Sequence, residues 1–75
     1  MPLAYKITKD ILLHYKFELD HQTGSHQIWK KWTAQVVVPK KKEFAIWTAR
    51  NIIKRIAQLS QTSLQTIVQD YKLKF

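Results

Sequence analysis

The sequence predicts an α+β fold in the order α-β-β-β-α-α, a three-stranded antiparallel sheet with helices on one face. Three observations predict it. Apolar residues recur every three or four positions near both ends of the chain, and the middle alternates with period two. Gly24, the only glycine, stands between the first two alternating runs. The predicted strands are too short to stand alone, so the helices must cover one face of the sheet.

The first helix is predicted from about Leu3 to Tyr15. Leu3, Ile7, Ile11, Leu12 and Tyr15 form its apolar stripe, with Lys6, Lys9 and Asp10 on other faces. Phe17, Leu19 and His21 then alternate with Glu18, Asp20 and Gln22, the pattern of a half-buried strand. Thr23-Gly24-Ser25 is the turn. His26–Trp32 and Thr33–Val38 are the second and third strands, rich in aromatic and β-branched types. Pro39 cannot donate a ladder hydrogen bond and should end the third. Lys40-Lys41-Lys42-Glu43 is a loop. A second helix is expected from Thr48, its stripe formed by Ala49, Ile52, Ile53 and Ile56. Thr48 would cap it, and Trp47 would pack on Ile52 as a staple. Ser60 repeats the device, with Leu59 and Leu64 as the pair. A third helix, at about 61–72, carries Leu64, Ile67, Val68 and Tyr71. Lys72-Leu73-Lys74-Phe75 is expected to be a frayed tail.

At 75 residues the chain is expected to form a single domain, 1–75, without repeat or linker. A chain of this size buries roughly 60 % of its unfolded surface, so an active site should be shallow. Thirteen basic residues stand against five acidic ones, a net charge of +8. That charge attracts nucleic acid, anionic lipid or an acidic protein. The absence of cysteine excludes a disulfide framework and a thiolate metal site. His14, His21 and His26 show no metal-ligand spacing, and no cofactor is implied. No apolar run approaches the ~20 residues that span a bilayer. The N-terminus lacks the apolar stretch of a secretion signal, which makes a cytoplasmic protein the default expectation.

Candidate chemistry gathers at the hairpin tip, Gly24-Ser25-His26. Histidine exchanges a proton near neutral pH, and beside a cationic surface the obvious polyanion is RNA. Cleaving RNA without metal needs a base for the 2′-hydroxyl and cations or N–H groups for the phosphate. His26 suits the first role, and Ser25 could hydrogen-bond a phosphate oxygen. What faces His26 depends on the loop. A three-residue loop, Gln22-Thr23-Gly24, puts Asp20 opposite; a loop from Gln22 to Ser25 puts His21 there instead. Lys40, Lys41 and Lys42, with Lys30 and Lys31 on the neighbouring strand and Arg50 at a helix start, could hold phosphates, or the run could be a solvated turn. Trp29 and Trp32 could stack on unpaired bases, or pack in or at the edge of the core.

The ordered set Gly24-Ser25-His26-Gln27-Ile28-Trp29, Val36-Val37-Val38-Pro39, Lys42-Glu43-Phe44 and Thr48-Ala49-Arg50-Asn51-Ile52-Ile53-Lys54 resembles the HicA-like (YcfA-like) mRNA interferases. These are toxins of toxin–antitoxin pairs. The resemblance covers roughly Phe17 to Leu59. It implies a fold like a double-stranded-RNA-binding domain and ribosome-independent cleavage of mRNA. It also implies that His26 is the catalytic residue and that a HicB-like antitoxin covers the active site. The chain departs from the family pattern at four places. Gln27 stands where many members have a second histidine, and Lys41 where the loop often holds one. Ile46-Trp47 replaces a Pro-Gly pair, and Lys16 replaces a glycine. The sequence therefore points to a small endoribonuclease toxin. Two alternatives are a non-catalytic RNA-binding module of the same fold and a basic subunit that docks an acidic protein.

Overall fold

The structure, a computed structural model, describes residues 3–74. Its elements are β1 (Leu3–Ala4), α1 (Tyr5–His14), β2 (Glu18–Thr23), β3 (His26–Lys31), β4 (Ala34–Pro39), β5 (Glu43–Phe44), α2 (Ile46–Leu59) and α3 (Leu64–Tyr71). The expected α-β-β-β-α-α frame is present, with two short strands added. β1 and β5 pair with each other, Leu3 opposite Phe44 and Ala4 opposite Glu43. Leu3 is therefore buried by a strand pairing and not by the helix stripe to which its spacing assigned it. The Tyr5 N–H donates to the Lys42 carbonyl at 2.9 Å, which ties the start of α1 to the end of the lysine loop.

The main sheet has the order β2-β3-β4, antiparallel throughout. Strand alternation gives it two different faces. Gln27 and Trp29 of β3 and Val36 and Val38 of β4 point into the core. There they meet Ile11 and Leu12 of α1, Phe17, Phe44, and Ala49, Ile52, Ile53, Ile56 and Ala57 of α2, with Ile67 of α3. α2 packs on β4, and both α1 and α3 pack on α2. Among the described residues the opposite face is bare. It carries His26, Ile28 and Lys30 of β3, opposite Pro39, Val37 and Gln35 of β4. No helix among the described residues is long and apolar enough to cross a membrane.

The helices α1, α2 and α3 end alike, without glycine. Lys16, Gln61 and Lys72 take left-handed backbone, with φ of 71°, 56° and 53°. After each, the next N–H reaches back into the helix: Phe17 to the Leu12 carbonyl, Thr62 to Ala57 and Leu73 to Val68, at 2.9, 3.0 and 2.9 Å. This is the hydrogen-bond pattern of a Schellman cap, which glycine favours because it has no Cβ to clash. The last cap also holds part of the expected tail. Leu73 packs against the core, while Phe75 lies outside the described residues. A non-glycine residue in this conformation costs roughly 1–2 kcal/mol. Glycine gives part of that back through its freedom in the unfolded chain. Gln61→Gly should therefore stabilise the fold by about 0.5–1 kcal/mol, seen as a raised urea midpoint at unchanged m-value. A lowered midpoint would show that the Gln61 side chain contributes more than its backbone costs.

The helix starts differ from expectation in two places. α2 begins at Ile46, with Ala45 as its N-cap and the Ala49 N–H donating to the Ala45 carbonyl at 2.9 Å. Thr48 thus lies inside the first turn, and Trp47 is 71 % exposed and not a staple on Ile52. Alanine offers no side-chain cap, so nothing in the sequence marked that start. α3 is capped by Ser63, whose Oγ accepts from the Thr66 N–H at 3.1 Å. Ser60 is instead the C-cap of α2.

Candidate active site and nucleic-acid interface

The hairpin tip is a two-residue loop, Gly24-Ser25, closed by Thr23 opposite His26. Gly24 has φ +59°, and Ser25 is not among the residues of positive φ. Positive φ at the first loop position alone is the II′ pattern, which demands glycine there. The requirement is conformational, because a Cβ on Gly24 would meet nothing within 4 Å. The Gln22 side-chain amide donates to the Gly24 carbonyl at 2.9 Å and braces the turn.

This register overturns both expected partners of His26. Neither Asp20 nor His21 stands opposite it, because the register shifts between Leu19 and His21. The shift is a β-bulge that takes in Asp20 as an extra residue. Asp20 instead turns to His21, its Oδ2 lying 2.6 Å from His21 Nδ1, and the same oxygen is 3.5 Å from Lys30 Nζ. The hydrogen bond from His21, helped by the Lys30 charge, holds the Asp20 carboxyl below the ordinary aspartate range. Asp20 therefore supports His21 and not His26.

The bulge also moves His21 to the bare face. It stands opposite Ile28, one pair along from the level of Gln22 and Gln27, and on the same side as Thr23 and His26. His21 and His26 are thus diagonal neighbours across β2 and β3. Diagonal Cβ atoms in such a pair lie about 7–8 Å apart or somewhat less. Sequence reasoning treated His21 only as a possible opponent of His26. The signal that would have found it is the adjacent acid–histidine pair, Asp20-His21, provided the bulge is known.

The lysine loop is stitched to the tip. The Lys40 N–H donates to the Ser25 carbonyl at 2.6 Å, and Pro39 pairs with His26. With Lys42 held by Tyr5 at the other end, the exposed side chains of Lys40, Lys41 and Lys42 extend from a loop anchored beside Ser25 and His26. Lys30 shares the bare face, further along β3. Arg50 is placed elsewhere: it lines a cleft of about 340 Å³ with Ile46, Trp47, Leu64, Gln65 and Val68, between α2 and α3.

The tryptophans separate. Trp29 is 2 % exposed, and its Nε1–H donates to Gln27 Oε1 at 3.1 Å, while the Tyr5 hydroxyl donates to the same oxygen at 2.6 Å. Its expected role in stacking on RNA is corrected: the ring lies inside the core, on the wrong side of the sheet. Trp32 is 91 % exposed, in the two-residue turn between β3 and β4. Gln27 is the buried acceptor of this network and points away from His26.

The family model described as HicA toxin of bacterial toxin-antitoxin matches residues 8–58, from α1 to the last turn of α2. No curated protein and no solved structure shows significant similarity to the chain. Members of the matched family are toxins that generally cleave mRNA and are paired with an antitoxin. With β2 to β5, the hairpin tip and all but the last residue of α2 inside the matched region, the chain belongs to the HicA toxin family.

Proposed function

We propose that this chain is a metal-independent endoribonuclease that cleaves mRNA in the cytoplasm as a single domain, with His26 as its base. The observation that carries the reading is the Lys40–Ser25 hydrogen bond, which fastens a cationic loop beside an exposed histidine. His26 takes the proton of a 2′-hydroxyl. The 2′-oxygen then forms a bond to phosphorus, and the bond from phosphorus to the 5′-oxygen breaks, leaving a 2′,3′-cyclic phosphate. Lys41 and Lys42, with the Ser25 hydroxyl, hold the phosphate oxygens as charge grows on them. The departing 5′-oxygen needs a proton. His21 supplies it from Nε2, its Nδ1–H held by Asp20. Arg50 would bind the backbone beyond this centre.

Such an exposed centre cannot be hidden inside so small a core. A HicB-like antitoxin with an acidic surface, laid over His26 and the lysine loop, inhibits it from outside. The test combines purified protein, single-stranded mRNA without ribosomes, and the antitoxin encoded beside the gene. Cleavage should occur, and antitoxin and RNA should exclude each other at fixed ionic strength. Simultaneous saturation by both would refute masking. A second reading, a non-catalytic RNA-binding module, draws on the burial of Gln27 away from His26. Clear RNA binding without cleavage would establish it.

The lysine loop has its own test. Lys41 and Lys42 should contact phosphates and not bases. Replacing both by Gln should weaken binding of unrelated RNA sequences by similar factors. It should also make the salt dependence shallower, by roughly 0.7 in the log–log slope for each lost single-strand phosphate contact. An unchanged slope would reduce the run to a solvated turn.

A further inference from the structure

We infer that Trp32, with the lysines around it, is a binding site for one unpaired base of single-stranded RNA, set apart from the cleavage centre. The inference rests on the RNA-cleaving reading and adds a subsite to it. Trp32 is the first residue of the two-residue β3–β4 turn and has φ 55°, while Thr33 is not among the residues of positive φ, so the II′ pattern recurs and glycine is the residue favoured there. A bulky side chain at such φ is strained, at a cost of order 1–3 kcal/mol. Its ring returns nothing to the fold by burial, since it is 91 % exposed. Burial therefore gives no reason for tryptophan at this position, an exposed lysine contact offsets only about 0.5–1 kcal/mol, and a contact outside the chain accounts for the residue better.

The surroundings indicate what that contact is. Lys31 Nζ lies 5.6 Å from the Trp32 ring centroid and 5.5 Å from that of the core residue Phe17, so it tethers the indole to the edge of the core. Lys16, Glu18, Lys30 and Lys31 line a shallow recess of about 380 Å³ with Trp32. Three lysines against one glutamate favour a polyanion, even with Lys30 partly engaged by Asp20. Protein hot-spot tryptophans sit in apolar surroundings that exclude water; the neighbours of Trp32 are charged. An indole with an open face among lysines matches the way single strands are bound, by base stacking and phosphate attraction together.

The placement along the strand fits one continuous RNA. His26 and Lys30 share the bare face, and the recess opens at the end of β3 opposite to His26. Five residue steps from His26 to Lys31 span about 17 Å. That is a few nucleotides of an extended strand, so a base stacked on Trp32 would set the position of the bond presented to His26.

The experiment uses the intact protein and a uniformly 2′-O-methylated single-stranded RNA, which lacks the hydroxyl needed for cleavage. Trp32→Asn should weaken binding roughly 5- to 150-fold, the range expected for one stacked base. Trp32→Gly should weaken binding to a similar extent and raise the urea midpoint, because glycine suits the turn backbone. Trp32→Phe should keep most of the affinity. A single abasic site, moved along the RNA, should at one position weaken binding to the parent but not to Trp32→Asn. Equal affinity of parent and Trp32→Asn would overturn the site while leaving the RNA reading intact. So would a loss of antitoxin binding without loss of RNA binding. Failure of the parent to bind RNA at all would overturn the RNA reading and the site together.

Discussion

His26→Ala should reduce RNA cleavage by about 10²–10⁴-fold, the usual contribution of a positioned acid–base group. The fold should survive, because His26 is an exposed residue next to a two-residue turn and contributes little burial. Surface substitutions of this kind usually change stability by less than about 0.5 kcal/mol. His21→Gln should also slow cleavage, and a substrate with a 5′-sulfur leaving group separates the two roles. Sulfur leaves without needing a proton. The His21 variant should therefore approach parental activity on that substrate, while the His26 variant stays slow on both. Asp20→Asn should behave as a weaker His21 variant, since it alters how the imidazole is held. Full cleavage by folded His26→Ala protein would remove His26 from the mechanism. Equal slowing of His21→Gln on both substrates would remove His21 as the proton donor.

What the sequence conveyed about this fold follows from which signals are carried by buried residues. Ile11 and Leu12, Val36 and Val38, and Ile52, Ile53 and Ile56 all lie in the core, and their spacing fixes helices and strands in the right order. The β1–β5 pairing was invisible because two residues have no period, and their partners lie some forty positions apart. The hairpin register was illegible for a different reason. Phe17, Leu19 and His21 continue one alternation through Asp20, but the bulge breaks it and turns His21 to the bare face. Helix ends escaped where their usual markers are absent, with Ala45 at a start and Gln61 and Lys72 at ends. Lys16 is the exception. The family resemblance places glycine there, and the left-handed backbone explains why.

The candidate site divides in the same way. Gly24, Ser25, His26 and the lysine run were legible because they are close in sequence and chemically distinctive, and the structure brings the tip and the loop together. The partner of Asp20 was not, since it depends on the bulge. The roles of the tryptophans depended on strand parity. Trp29 shares the side of Gln27 and points inward, whereas Trp32 stands outside the strand, in the turn.

Trp29→Ala should bring the fold close to collapse. A domain of this length is stabilised by about 4–11 kcal/mol, at roughly 0.05–0.15 kcal/mol per residue. Truncating a buried tryptophan to alanine costs about 3–5 kcal/mol through lost burial and the cavity left behind. The polar part of the loss is small, because Gln27 Oε1 keeps its bond from the Tyr5 hydroxyl. Trp29→Phe retains most of the apolar volume and should cost much less, so it keeps the fold while removing the indole N–H. RNA affinity should then follow folding and not the indole: lost with Trp29→Ala in proportion to unfolding, and nearly unchanged in Trp29→Phe. Urea titration of each variant, with RNA binding measured under conditions where the variant is folded, checks both parts. A stable Trp29→Ala protein that had selectively lost RNA affinity would show the ring reaching the nucleic acid, and the core drawn from its 2 % exposure would be wrong.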